Sequence, residues 1–349
     1  MPARATPPLR RRSLLAAGLI GGGTLAMPSL LRAQAREIVI GGAASHAPWV
    51  RDIVTPAFER KHNAKVLFEG TRSLVNLEKM RANKARPLMS VVQMDDPVMI
   101  LAVQEDLLER MTPASVPNLG RILPGAVHMD GMWANYLTPW QGVAYNTAAK
   151  PNGVASWEEL WDRANRGRVI LPSLQNTEGL ANLFIAAMLE TKKPFREAQY
   201  EVEAGFARLA RLKGNLLTVY TQMPQAFNLL EQGEATMIGS ALSSFAFLRK
   251  AAGAPVDLAA PKEGIVASPS GIALVKGGPN PELARAYVDE LLSAEMQSSL
   301  AAPVFALPTN PEARRPPGMP DMTAEQIDWA FVARERDKWI ARWDREMRL

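Results

Sequence analysis

The sequence contains no cysteine and only three histidines among its 349 residues. A chain without cysteine has no disulfide, no thiolate nucleophile and no cysteine-ligated metal. The histidines are His46, His62 and His128, and none of them stands in an HExxH motif. A P-loop, a GxGxxG motif and a nucleophile elbow are absent as well, so no motif marks a nucleotide site or a hydrolase triad. We therefore expect no catalytic residue, no cofactor and no metal site.

The chain that follows the N-terminus also lacks an excess of charge of either sign. The formal net charge is +5, from 40 Lys and Arg against 35 Asp and Glu. Residues 1–35 hold five arginines and no acid, so the rest of the chain has 40 − 5 = 35 basic residues against 35 acidic ones. Proteins that bind nucleic acid carry a basic face. We expect no nucleic-acid partner.

No long apolar run occurs after the N-terminus, and the N-terminal run is shorter than the ~20 residues that span a membrane. Arginines at 10–12 precede a glycine-containing apolar run over 14–27, and Ala33-Gln34-Ala35 offers a cleavage site of small residues. The Arg-Arg-x-Leu-Leu order resembles a twin-arginine export signal. We expect a signal peptide over 1–35, cleaved after Ala35, and a mature protein located in the periplasm.

The length and the hydrophobic pattern predict two α/β domains. A single core seldom serves a chain of 349 residues. Short β-branched runs begin near Glu37, Ala64 and Ser90, and a polar turn and a helical pattern follow each of them. The same strand, turn and helix order returns after residue 168. Repeated βα units favour parallel sheets flanked by helices.

The polar turns after these strands are the candidate binding residues. Ligands of open α/β sheets sit outside the carboxyl ends of the strands, where helix N-termini and free N–H groups converge. The strand predicted over Ala235–Ile238 places Gly239 and Ser240 at such an end. Applied to all strands, the rule predicts one cleft lined by Ser45, His46, Thr71, Arg72, Asp95, Trp140, Thr177, Glu178, Gly239, Ser240 and Ser243.

The order of several short motifs resembles that of a known family, the family-1-like extracellular solute-binding proteins of bacterial ABC importers. The spermidine/putrescine-binding branch is the most similar, and the ferric-ion-binding branch is related to it. The resemblance covers the mature chain. It rests on the strand and helix over Ile38–His62, Ala144-Tyr-Asn-Thr147, Ser156-Trp-Glu-Glu-Leu-Trp161, Gly167-Arg-Val169, Leu230-Glu-Gln-Gly-Glu234, Pro261-Lys-Glu-Gly264 and Pro308-Thr-Asn310.

The resemblance implies two lobes, each a mostly parallel sheet flanked by helices, joined by hinge strands and closing on a solute. We place the first lobe at 36–138 with a return of the chain over about 271–349, and the second at 139–270. A terminal helix over Ala324–Met347 should pack against the outside of a domain. The implied partners are a small polar solute and the membrane permease of an ABC importer. The protein should be a monomer and not an enzyme.

The resemblance does not carry over the ligand. The polyamine branch holds amines with an aromatic box and carboxylates. Here Ala44, Gly239 and Ala267 stand where that branch has tryptophans, although Asp95 and Glu178 could serve as amine ligands.

The ferric branch has adjacent tyrosines where this chain has Ser243-Ser244, although His46 stands where a metal-binding histidine could. Arg72 at a predicted helix start could hold a carboxylate or phosphonate. We favour a small anionic or zwitterionic organic solute. Polyamine and ferric ion are the alternative ligands, and an exported enzyme or a sensor subunit on the same fold are the alternative functions.

Overall fold

The computed structural model describes residues 36–316 and 324–347. The predicted export signal and its cleavage site lie outside these residues. In the described part of the chain, no helix combines the length and the apolar character that crossing a bilayer requires.

The strands of the described residues form two sheets. In chain order they are β1 (Glu37–Ala43), β2 (Lys65–Thr71), β3 (Val91–Asp95), β4 (Leu108–Glu109), β5 (Val127–His128), β6 (Trp133–Thr138), β7 (Trp140–Asn146), β8 (Val169–Pro172), β9 (Leu216–Tyr220), β10 (Met237–Leu242), β11 (Val256–Ala259), β12 (Ile265–Ala267), β13 (Ser270–Val275), β14 (Leu307–Pro308) and β15 (Ala324–Glu325).

Helices flank both sheets. Their bounds are α1 (Ala47–Trp49), continued by a π-helical turn at Val50–Val54, α2 (Thr55–His62), α3 (Ser73–Ala82), α4 (Asp96–Gln104), α5 (Thr177–Thr191), α6 (Phe195–Ala198), α7 (Val202–Leu212), α8 (Met223–Glu231), α9 (Ser243–Ala251), α10 (Pro281–Leu292), α11 (Ala294–Val304) and α12 (Trp329–Glu346). Short 3₁₀ turns lie at 44–46, 117–120, 124–126, 157–161, 163–165 and 213–215.

The first sheet has the strand order β14-β6-β13-β3-β1-β2, with β4 beside β13 and β5 beside β6. The second has the order β15-β12-β7-β10-β8-β9, with β11 beside β7. The predicted α/β fold with two sheets flanked by helices is confirmed. Each sheet is mixed rather than mostly parallel, because β13 and β6 in the first and β7 in the second pair antiparallel to their neighbours. The parallel pairs are the βα units: β1 with β2 and β3, and β8 with β9 and β10.

The chain crosses between the sheets at two short connections in the described residues before 316. β6 of the first sheet and β7 of the second are separated only by Pro139. The return runs from β12 to β13 through Ser268 and Pro269. We call the first sheet with its helices the first lobe, and the second sheet with its helices the second lobe. Of the segment predicted to return to the first lobe, β14 joins the first sheet and β15 pairs with β12 of the second.

Polar side chains cap the starts of α11 and α12. α10 and α11 are separate helices, because Ser293 takes an extended conformation between them and its hydroxyl accepts from the Met296 N–H. The predicted terminal helix begins only at Trp329, where Asp328 accepts a hydrogen bond from the Phe331 N–H. Serine and aspartate at these positions satisfy N–H groups that the first turn of a helix leaves free.

The C-terminal helix α12 packs against helices of both lobes. Its Trp339 lies edge-to-face with Phe184 of α5, at 5.9 Å between ring centroids. The Arg342 guanidinium lies over the Phe206 ring of α7, 4.1 Å from the centroid. α12 also contacts α4 of the first lobe. The helix therefore contacts elements that belong to different lobes.

Candidate functional site

The carboxyl ends of the three parallel strands of the first lobe lie side by side. Ala43 at the end of β1 pairs with Thr71 at the end of β2, and Gly41 pairs with Val92 of β3. This register places the turns after β1, β2 and β3 at one edge of the sheet. The strand-end rule selected five residues that lie at this edge: Ser45, His46, Thr71, Arg72 and Asp95.

His46 is held as a neutral side chain. Its Nδ1 lies 3.2 Å from Gln93 Oε1 and 3.4 Å from the Tyr136 hydroxyl, and its ring lies 4.9 Å from the Trp49 ring. Burial lowers the pKa of His46 to about 4, and the hydrogen bond with Gln93, which raises the pKa, offsets only part of this effect. Because Nδ1 is engaged, Nε2 is the nitrogen left to face a ligand.

Asp95 and Arg72 are charged residues that each stand immediately before a helix. Asp95 precedes α4, and its backbone N–H donates to Ser73 Oγ at 3.2 Å. Arg72 precedes α3, is exposed, and has no side-chain hydrogen bond or ion pair with a described residue. Ser73 therefore joins the Asp95 backbone to the N-terminus of α3, where the helix dipole favours an anion.

The remaining predicted residues of the first lobe differ in accessibility. Ser45 is exposed in the 3₁₀ turn after β1. Thr71 is half-buried, and its hydroxyl donates to Asn76 Oδ1 at 2.6 Å. Ser45 is therefore free to contact a ligand, whereas Thr71 mainly fixes the first turn of α3.

Glu178 of the second lobe faces the Asp95 side of the first. Thr177 and Glu178 form the first turn of α5, which follows β8, and both are half-buried. Burial raises the pKa of Glu178 to about 7, and the negative charge of Asp95 adds to this effect. Asp95 is exposed as a residue, but desolvation of its carboxylate raises its pKa, and the charge of the neighbouring Asp96 adds to this effect. The charge of Asp95 thus disfavours ionisation of Glu178 in the other lobe.

The structure corrects the prediction that Gly239 and Ser240 end a strand. β10 continues to Leu242, and its pairing with β7 shifts between Ile238 and Ala241, so both residues lie opposite Val143 in a β-bulge. Ser240 is fully buried with φ of 51°. A bulge leaves no trace in hydrophobic periodicity, so the glycine and serine looked like a turn. They do not line the cleft.

Replacing Gly239 with alanine should therefore destabilise the protein. A Cβ atom at this position would lie 2.7 Å from both Asn182 Oδ1 and Leu171 Cδ2. Overpacking of this kind costs about 1–3 kcal/mol, measurable by urea unfolding. Gly214→Ala is the matched control, because nothing lies within 4 Å of a Cβ placed there. Equal stability of the two variants would show that the Gly239 site has room for a side chain.

Trp140 and Ser243 were also predicted to line the cleft, but both are buried at the junction between the lobes. Trp140 is 1% exposed and packs edge-to-face on Phe247 at 6.0 Å. Ser243 Oγ accepts from the Trp140 N–H at 3.1 Å and donates to the Phe305 carbonyl at 2.8 Å. Ser243 thereby ties β7, α9 and the end of α11 together, and no ligand contact is left for its hydroxyl.

The sequence-based prediction missed two residues near Glu178. Tyr220 ends β9, and its hydroxyl is buried without a hydrogen-bond partner among the described residues. Burial raises the pKa of Tyr220, and the negative charge of Glu178 raises it further. The strand-end rule could have found it. Arg336 of α12 lies within electrostatic range of Asp95 and Glu178. No pattern in the sequence indicates that this helix reaches the site.

A metal site gains no support from the described residues. Within 36–316 and 324–347, no group of three or more His, Asp or Glu side chains could hold a metal ion. Tyr136 and Tyr220 have pKa values raised well above 10 by burial, which disfavours the phenolate that a ferric ion would bind.

The comparison with known proteins decides the family. The family described as bacterial extracellular solute-binding protein matches residues 87–335, which is more than half of the chain. The chain belongs to this family. The family's extracellular character agrees with the predicted export. A solved ABC transporter structure from Clostridium perfringens has a TM-score of 0.74 at 21% identity, covers 89% of this chain and 100% of its own, and shows the same two-lobed fold.

Two characterised relatives bind small amines or amino acids according to their names. The spermidine/putrescine-binding periplasmic protein of Escherichia coli is 25% identical over 219 residues, 61% of each chain. This solute-binding protein thus spans about three fifths of that relative's length. The gamma-aminobutyric acid-binding protein of Pseudomonas aeruginosa is 25% identical over 272 residues, 76% of this chain and 74% of its own.

Proposed function

We propose that this protein is a periplasmic receptor that captures a small zwitterionic solute between its lobes and delivers it to the permease of an ABC importer. The export signal predicted over 1–35 would bring it to the periplasm, by the twin-arginine route. The lobes would be those predicted, 36–138 and 139–270, with the hinge at Pro139 and at Ser268 and Pro269. It would act as a monomer without catalysis.

The observation that carries the proposal is the pair of carboxylates, Asp95 from the first lobe and Glu178 from the second. Asp95 raises the pKa of Glu178, so the ligand-free site holds like charges that repel each other. An ammonium group between them would relieve this repulsion and draw the lobes together. Both relatives named above bind compounds that carry a primary ammonium.

The second half of the proposed ligand is a carboxylate. Arg72 has no partner among the described residues, and it stands at the N-terminus of α3 beside Ser73. A guanidinium and a helix N-terminus together favour an anion. Because Ser73 also contacts the Asp95 backbone, an amino acid with separated charges can meet both groups. A polyamine would use only the carboxylates and would leave Arg72 unmatched.

A ligand panel tests the proposal. Thermal unfolding should be measured with 4-aminobutyrate and related amino acids, with putrescine, with dicarboxylates and with ferric citrate. A ligand at 100 times its Kd stabilises the folded state by about 2.7 kcal/mol, which raises Tm by roughly 4 °C for a chain of this size. The zwitterions should give the largest shifts. A shift with ferric citrate alone, or none with any compound, would refute the proposal.

A further inference from the structure

Arg336 reaches the binding site from the far end of the chain. It lies in the middle of α12, is half-buried, and its Nη2 donates to the Gln175 carbonyl at 2.8 Å. Gln175 stands three residues before Glu178, in the turn that leads into α5. Arg336 Nε is buried without a hydrogen-bond partner among the described residues. The guanidinium is thus anchored to the turn at one nitrogen only.

The charge of Arg336 is shared between the two lobes. Asp95 and Glu178 both act on it electrostatically, as does its neighbour Asp337. Arg336 in turn opposes the burial that disfavours ionisation of Asp95 and of Glu178. Neither of these two described carboxylates forms an ion pair with Arg336 within 4.0 Å. The guanidinium therefore compensates both carboxylates from a distance and leaves their oxygens free for a ligand.

Asp337 is exposed, so water screens its charge, and the charge balance between the lobes is set mainly by Asp95, Glu178 and Arg336. With Asp95 and Glu178 both ionised the pair carries two negative charges, and Arg336 supplies one positive charge at a fixed position. A ligand with one positive charge makes this group of charges neutral. A ligand with two positive charges leaves one of them uncompensated in a partly desolvated cleft. Uncompensated charge is costly where water is excluded.

We propose that Arg336 makes the site selective for ligands with a single positive charge. Its guanidinium supplies the positive charge that the second ammonium of a diamine would otherwise supply, and diamines are therefore excluded. The inference rests on the proposed function, in which an ammonium binds between Asp95 and Glu178. It adds a specificity-determining residue that lies outside all strand-end turns. The alternative is that Arg336 only anchors α12 to the turn at Gln175.

The test compares two ligands of similar length, 4-aminobutyrate and putrescine, by titration calorimetry at about pH 8, where Glu178 is ionised. The ratio of the two affinities is measured for the wild type and for Arg336→Gln. Loss of the fixed charge should shift this ratio toward putrescine by about tenfold or more. Arg334→Gln is the matched control, an exposed arginine on the same helix without a hydrogen bond or ion pair to a described residue.

Two further variants separate charge from anchoring. Arg336→Lys keeps the charge and should keep the wild-type ratio within about threefold. If Arg336→Gln does not unfold cooperatively, Arg336→Met takes its place in the measurement of the affinity ratio. Methionine also removes the charge, but it keeps an apolar stem against the turn. A ratio that changes equally in the lysine and glutamine variants, or that matches the Arg334→Gln control, would overturn the role of Arg336. If the wild type binds no ammonium compound, the proposed function fails, and this inference fails with it.

Discussion

Asp95→Asn should weaken binding of the zwitterionic ligand by about tenfold or more, because a hydrogen bond to a charged group contributes about 1.5–3 kcal/mol. The same change should not lower the stability of the ligand-free protein. Burial raises the pKa of Asp95, so its ionised carboxylate is less favourable in the folded state than in the unfolded one. Calorimetric titration and urea unfolding of one preparation measure both effects.

The matched control for this prediction is Asp106→Asn. Asp106 is exposed, pairs with Lys276 at 2.7 Å, and has a left-handed φ of 56° that asparagine tolerates well. Its substitution should leave the affinity unchanged. A similar loss of affinity in both variants, or a loss in Asp95→Asn that accompanies a large loss of stability, would contradict a direct role of Asp95.

Glu178 gives the same site a pH dependence. Its pKa rises from 4.5 to about 7 on folding, so its contribution to stability is present at low pH and is lost as the pH rises through this interval. His46 acts in the opposite direction, since its pKa falls from 6.5 to about 4 and its contribution is lost as the pH falls. Comparison of Glu178→Gln with the wild type isolates Glu178, because His46 is common to both.

The glutamine variant should gain stability relative to the wild type by about 1–2 kcal/mol between about pH 5 and about pH 8. In the same interval, ligand affinity of the wild type should rise with pH, because an ammonium binds the ionised carboxylate. Urea unfolding and calorimetry at several pH values measure the two trends. A stability difference that stays constant with pH would show that Glu178 titrates as an exposed residue.

Gln297→Leu should lower the free energy of unfolding by about 3–5 kcal/mol, because two buried backbone N–H groups lose their acceptor. Gln297 Oε1 accepts from the N–H groups of Thr309 and Asn310, each at 2.8 Å, and its Nε2 donates to the Thr309 hydroxyl at 3.0 Å. All three residues are buried. The Thr309 hydroxyl continues the network to the Asn135 carbonyl of β6 at 2.8 Å.

Urea unfolding followed by tryptophan fluorescence measures this loss. Gln104→Leu, an exposed glutamine at the end of α4, is the control and should change stability by about 0.5 kcal/mol or less. A loss in Gln297→Leu no larger than in this control would show that the network contributes nothing. The network also explains why Pro308-Thr-Asn310 contributes to the family resemblance: its side chains and N–H groups hold α11 against the first sheet.

Local pattern was sufficient for the part of the site that lies at strand ends. Ser45, Arg72 and Asp95 follow strands whose apolar runs are unambiguous, and the parallel register places their ends at one edge. Glu178 follows from the same rule in the second lobe. The rule fails at Gly239, because a bulge depends on pairing with Val143 and not on the local sequence. It also fails at Ser243, whose hydroxyl is engaged by two distant backbone groups.

The sequence by itself determined the family, the two-lobed α/β fold and the polar turns at the strand ends, because these depend on periodicity and on the order of short motifs. Only the tertiary structure decided which polar residues remain available and which distant residue joins them. Trp140 and Ser243 are withdrawn by burial, and Arg336 is brought in by the packing of α12. The contact between Arg336 and Gln175 joins positions 161 residues apart, and no local pattern encodes it.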